Sequence, residues 1–122
     1  MGAVHVMIRI GHPLHGGDAV SCQVLADTGA TLTMLPATLL AQAGIEPFKE
    51  MEFRVADGRK VTRKLGEARI HVNGDAVTAR VIFGEPEDAS VLGLTVLEEI
   101  GLAVDPVNRK LIPAEFVIYI LR

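Results

Sequence analysis

The side chain in this sequence best placed for chemistry is Asp27. The segment Val24-Leu25-Ala26-Asp27-Thr28-Gly29-Ala30-Thr31 runs from apolar residues onto one carboxylate, one hydroxyl and one glycine, and apolar residues resume at Leu32, Met34 and Leu35. An acid set between two buried segments costs stability unless hydrogen bonds hold it. Gly29 tolerates φ > 0 and a close backbone approach, so the chain can turn beneath the carboxylate. Nearby amides then donate to it and favour its charged form. A carboxylate held in this way is suited to taking a proton from water or giving one up. Asp-Thr-Gly taken by itself also describes an ordinary turn, so the reading depends on the elements around it.

Those elements read as short strands. Val4, Val6, Ile8 and Ile10 alternate with Ala3, His5, Met7 and Arg9, and Val20, Cys22 and Val24 repeat the pattern. Period two predicts half-buried strands, joined as a hairpin through the turn-rich stretch 11–18, and the second strand delivers Asp27. The next strand is predicted at Thr31–Leu35 and a short helix at Pro36–Ala43, opened by proline and closed by Gly44. Phe48–Ala56 and Lys60–Val72 flank Asp57-Gly58, a strong hairpin turn, with Gly66 expected to mark a bulge or bend. Asn73-Gly74-Asp75 makes a second turn before a strand at Ala76–Phe83, and Glu85-Pro86-Glu87-Asp88 reads as a solvated acidic loop. Ser90–Gly93 is a short strand, Leu94–Ile100 a helix ended by Gly101, and Leu102–Asp105 with Lys110–Ile112 a hairpin. A strand, a glycine, an apolar stretch and a helix closed by Gly44 thus recur as a strand, Gly93, an apolar stretch and a helix closed by Gly101.

The Asp27 segment and the later Val91-Leu92-Gly93-Leu94-Thr95-Val96-Leu97 stretch, running on to Asp105-Pro106, together resemble the retropepsin-like aspartic proteases, the single-domain relatives of retroviral proteases. The resemblance runs from about Val4 to Pro113. It implies an all-β fold with two short helices, a closed barrel-like monomer assembling as a homodimer, and aspartic endopeptidase activity. Thr28 would then hydrogen-bond across the dimer axis, and Gly29 would support the catalytic carboxylate of Asp27. Ala30, Thr31, Leu32, Met34 and Val91 would line the substrate cleft. The Phe53–Lys64 hairpin, with Val55, Ala56, Asp57 and Gly58 around its tip, would be the flap that closes over an extended peptide. Retroviral members commonly carry arginine after the apolar-apolar-Gly, where this chain has Leu94, and their flaps are rich in glycine, where this one has Arg54, Asp57, Arg59 and Lys60.

Peptide hydrolysis without a metal or a covalent nucleophile needs an activated water and a proton donor. Two carboxylates about 3 Å apart supply both, because they cannot both ionise. Asp18, Asp57, Asp75, Asp88 and Asp105 all fall in loops or turns. The second carboxylate is therefore expected from Asp27 of another copy about a two-fold axis. The apolar run from Glu115 to Arg122 is expected to serve as a strand of that interface, since an exposed apolar edge invites pairing.

Length and composition agree with a single domain over 1–122. Hydrophobic residues make up 49% of the 122-residue chain, aromatics only 4%, and tryptophan is absent, so the core is aliphatic. A net charge of −3 without a basic block argues against nucleic acid as a partner. Cys22 is the only cysteine, which fits a reduced, cytoplasmic setting and reads as a small hydrophobe rather than a nucleophile. No run reaches transmembrane length. His12 and His15 share a loop, but with no further placed ligands they do not make a metal site, and no cofactor is expected. The alternatives are a catalytically inactive retropepsin-like module used for binding or assembly, an unrelated small β-barrel binding protein, and a histidine metal binder. The intact Asp27-Thr28-Gly29 favours the enzyme.

Overall fold

Side chains that alternate between apolar and polar give strands whose apolar faces must meet, and here they meet by closing a ring. The computed structural model describes residues 2–15 and 19–121, so Asp18 and Arg122 lie outside the described residues, as does part of the 11–18 connection. The strands are β1 (His5–Gly11), β2 (Val20–Ala26), β3 (Thr33–Pro36), β4 (Lys49–Arg54), β5 (Lys60–Val72), β6 (Asp75–Gly84), β7 (Val91–Leu92), β8 (Leu102–Asp105) and β9 (Lys110–Pro113). The helices are α1 (Ala37–Gln42) and α2 (Leu94–Glu99). The main sheet has the order β1-β2-β7-β3-β6-β5-β4, and an added pairing of β1 with β5 closes it, leaving β4 outside the ring. β8 and β9 form a separate hairpin. Inside the ring, Ile8, Ile10, Val24, Leu35, Ile70 and Leu92 are buried in one core with Leu40 of α1 and Leu97 of α2.

The pairing is reciprocal. β2 runs parallel to β7 (Leu25 opposite Val91, Ala26 opposite Leu92), and β3 runs parallel to β6 (Thr33 opposite Val81, Pro36 opposite Gly84). Each of β3 and β7 is followed by a six-residue helix, and Gly44 and Gly101 just beyond the helices have φ +80 and +70. The β2–β3–α1 and β6–β7–α2 units thus each lay a strand beside the other's, but Gly29 precedes β3 while Gly93 follows β7 and caps α2, so the order expected of a repeat does not hold.

Several local expectations change. Thr31 and Leu32 stay out of β3 because the carbonyls of Ala30 and Thr31 accept the N–H groups of Leu94 and Thr95 at 2.7 and 3.1 Å. Pro36 is the last residue of β3 and caps α1 rather than opening it. Gly66 is no bulge: Leu65, Gly66 and Glu67 face Ile82, Val81 and Arg80 in unbroken register. It is glycine because a Cβ there would lie 2.8 Å from the Phe83 ring and 3.1 Å from the Glu46 carbonyl oxygen. Among the described residues, the terminal run 115–121 forms no strand. Phe116 sits against Gly101, and residues 116–121 are largely exposed, reaching 91% at Tyr119 and 95% at Leu121. No helix among the described residues is long and apolar enough to cross a membrane.

Candidate active site

β2 brings the chain to Asp27 alongside β7, and the Asp27 N–H donates to the Leu92 carbonyl at 3.0 Å. The chain then turns. The Gly29 N–H donates to Asp27 Oδ1 at 2.8 Å, and the Ala30 N–H donates to the Asp27 carbonyl at 3.2 Å. Gly29 does not have a positive φ. It is glycine for the other reason read from the sequence, close approach: a Cβ there would lie 3.1 Å from Asp27 Oδ1. Asp27 is half-buried and Thr28 is exposed on the same loop.

The second motif locks this loop in place. Thr33, 1% exposed, is the one buried polar side chain among the described residues, and its Oγ1 accepts the Gly93 N–H at 2.9 Å. Gly93 packs so tightly that a Cβ would fall 2.5 Å from the Leu32 carbonyl carbon. The Thr95 hydroxyl donates to the Thr31 carbonyl at 2.8 Å. The first N–H groups of α2, which lack partners inside the helix, are thus satisfied by the loop that carries Asp27. The loop is held from both sides, and its carboxylate is presented on a fixed backbone.

Over the loop lies a cleft of about 560 Å³. Of the residues expected around it, Gly29, Ala30, Thr31, Leu32, Met34, Val55 and Val91 form its walls. Asp27 and Thr28 stand beside it on the loop, and Ala56, Asp57 and Gly58 lie at the exposed tip of the β4–β5 hairpin without lining it. That tip is ordered by its own bonds. Val55 N–H donates to the Arg59 carbonyl at 2.9 Å, Asp57 Oδ1 accepts the Arg59 N–H at 2.9 Å, and Arg54 Nη1 donates to the Gly58 carbonyl at 2.9 Å. The Arg59 bonds hold the Asp57 carboxyl below the usual carboxylate range. Gly58 takes φ +92, as the turn requires.

Phe53, Arg54, Val61 and Arg63 of the expected flap hairpin also line the cleft, together with Ile82 and Asp88, which no motif in the sequence marked. Phe53 and Val55 were legible as one face of a strand, since Met51, Phe53 and Val55 are half-buried while Glu50, Glu52 and Arg54 are exposed. Asp88 is a correction: it is not part of a solvated acidic loop. Arg63 Nε and Nη2 donate to its Oδ2 and Oδ1 at 2.7 and 3.0 Å, with both side chains mostly buried. The Arg63 guanidinium lowers the Asp88 carboxyl below its ordinary range, and the Asp88 carboxylate raises Arg63 in turn.

His12, His15 and Cys22 lie away from the cleft. His12 and His15 stack at 4.0 Å between ring centroids, and His12 Nδ1 accepts the Leu14 and His15 N–H groups at 3.0 and 3.1 Å. Among the described residues, no three or more His, Cys, Asp or Glu side chains gather as metal ligands would. Cys22 is half-buried on β2 and packs on the core, where loss of solvent raises its thiol pKa.

No curated protein matches the chain. Solved structures with a similar fold include the solution structure of Simian Foamy Virus (mac) protease, with TM-score 0.56 and 20% identity over 79% of this chain and 93% of that one. EIAV protease complexed with the inhibitor HBY-793 gives TM-score 0.63 and 16% identity over 95% and 93%. A retropepsin-like aspartic protease from Rickettsia conorii gives TM-score 0.51 and 19% identity over 85% of each chain. Identities this low show the shared fold. The family model for the gag-polyprotein putative aspartyl protease matches residues 17–99, a span holding both the Asp27 loop and the Gly93 segment that locks it. By that match and this fold, the chain belongs to the retropepsin-like aspartic protease family.

Proposed function

We propose that residues 1–122 act as one aspartic endopeptidase domain, working as a homodimer on extended peptides in a reducing, cytoplasmic setting. The observation that carries this reading is the Asp27 carboxylate, held by the Gly29 N–H at 2.8 Å on a loop that forms the floor of a cleft. Each copy contributes one such carboxylate, and the pair shares a proton. The ionised Asp27 draws a proton from water while the protonated Asp27 polarises the scissile carbonyl, and the two exchange roles as the amine departs. Thr28, exposed in the single chain, faces its counterpart across the axis. The apolar side chains from Phe116 to Leu121 supply the surface to be covered, as an obligate interface needs.

The cleft supports a substrate preference. Its walls are mainly aliphatic and aromatic, from Leu32, Met34, Phe53, Val55, Ile82 and Val91. A peptide lying between loop and hairpin is then recognised by backbone pairing and by apolar side chains in alternate pockets. Asp27→Asn tests the reading. The nearly isosteric change keeps the dimer by light scattering and lowers hydrolysis of a peptide library by several orders of magnitude. Retained cleavage by a purified variant returns Asp27 to a turn residue. A folded dimer of wild-type protein that cleaves nothing supports the binding or assembly module instead.

A further inference from the structure

β5 belongs to two ladders. Its C-terminal part, from Leu65 to Val72, pairs with β6, while its N-terminal part, from Lys60 to Leu65, pairs with β4 in the hairpin over the cleft. Leu65 is where β5 leaves β6. Were the β5–β6 ladder to continue, Arg63 would come opposite Gly84, but the two strands have already diverged there. Across this opening Arg63 reaches Asp88, 25 residues away in sequence, with two parallel bonds of 2.7 and 3.0 Å.

Both ends of this fork are themselves anchored. Arg63 Nη1 donates to the Thr62 carbonyl at 2.9 Å. Asp88 Oδ2 also accepts the Glu85 N–H at 2.8 Å, and the Asp88 N–H donates to the Glu85 carbonyl at 2.9 Å. The turn so closed rests on Gly84, where a Cβ would lie 3.1 Å from the Leu35 carbonyl oxygen and 3.3 Å from Met34 Cγ. Glu85 Oε1 stands 3.8 Å from Arg63 Nη2 and is exposed to solvent. Two-bond arginine–carboxylate pairing fixes direction as well as distance, and side chains only 16% and 19% exposed lose little of it to solvent screening. Arg63 and Asp88 also line the cleft, beside Met34, Val61 and Ile82.

We propose that the Arg63–Asp88 fork is the hinge clamp of the β4–β5 hairpin: it stops the β5–β6 opening from spreading and holds the cleft at the width that receives a peptide. Arg63 and Asp88 are positioning residues, acting through the hairpin rather than on the scissile bond. The inference rests on the endopeptidase reading for its consequence in turnover. Its consequence for the hairpin is independent of catalysis. Without the clamp, a peptide must order the hairpin as it binds, and that cost weakens ground state and transition state alike.

The test compares Asp88→Asn and Arg63→Lys with the wild-type full chain by steady-state kinetics and by amide hydrogen exchange without ligand. Charge-assisted bonds of this kind place the expected rise in KM at about tenfold, with kcat held within about twofold. Exchange protection of amides in 49–64 falls by a similar factor, while the β1–β2 ladder is unchanged. The double variant is no worse than either single change, because both remove the same fork. Asp88→Asn is nearly isosteric and remains informative if Arg63→Lys folds poorly. Unchanged hairpin exchange, or protection lost equally in β1–β2, overturns the clamp. If wild-type protein cleaves no peptide, the endopeptidase reading fails, and the exchange comparison still decides whether the fork holds the hairpin.

Discussion

Thr33→Val replaces the hydroxyl that accepts the Gly93 N–H at 2.9 Å with a methyl group of nearly the same size. The donor cannot turn elsewhere, since the backbone of Leu32 lies where even a Cβ on Gly93 would be 2.5 Å away. A buried donor left without its partner costs about 1–3 kcal/mol, and the added methyl returns up to about 0.8 kcal/mol. With that return in full, the net loss is about 0.2–2.2 kcal/mol, equivalent to a fall in Tm of roughly 1–9 °C for a chain of this size. Thr33→Ser is the control, because it keeps the acceptor and loses only the methyl. The assay is urea unfolding of the three proteins at one protein concentration, since a dimer's apparent stability depends on concentration, together with exchange of the Gly93 amide. Thr33→Val is expected to speed that exchange and Thr33→Ser to leave it slow. A Thr33→Val protein as stable as wild type, with Gly93 equally protected, would refute the argument that this one buried bond joins the two motifs.

Two further expectations concern the clamp and the assembly. The Asp88 carboxyl is held low by Arg63, so its stabilisation is present above the unfolded value of about 3.9 and is lost as pH falls through the lower folded value. The stability difference between wild type and Asp88→Asn should therefore be constant above about pH 5 and shrink below about pH 4. A difference that does not vary with pH removes the charge from the explanation. Truncation after Pro113 removes the exposed apolar run and should shift light scattering toward monomer and abolish hydrolysis together. A stable, active monomer would contradict both the assembly and the two-carboxylate mechanism.

Local signals carried far in this chain. Alternation of apolar and polar residues marked β1, β2 and the β4 face, because each strand shows one side to the core and one to solvent. Asp57-Gly58 and Asn73-Gly74 marked their turns: Gly58, Asn73 and Gly74 all take positive φ. Asp27-Thr28-Gly29 stood out as polar and small residues set within an apolar run, and the Leu92-Gly93 segment was legible through the resemblance to the retropepsin-like proteases.

What the sequence did not reveal depends on which strands become neighbours. Asp88 looked solvated beside Glu85, Pro86 and Glu87. It is mostly buried only because β5 and β6 part at Leu65 and leave Arg63 facing it. Thr33 looked like any strand threonine, and its role comes from a donor 60 residues away. Phe116 to Leu121 looked like a strand and pair with no strand among the described residues, since a strand needs a second edge to complete its hydrogen bonds. Periodicity and turn chemistry are properties of neighbouring residues and can be read along the chain. Partners across a sheet, and the burial and charge that follow from them, exist only once the ring has closed.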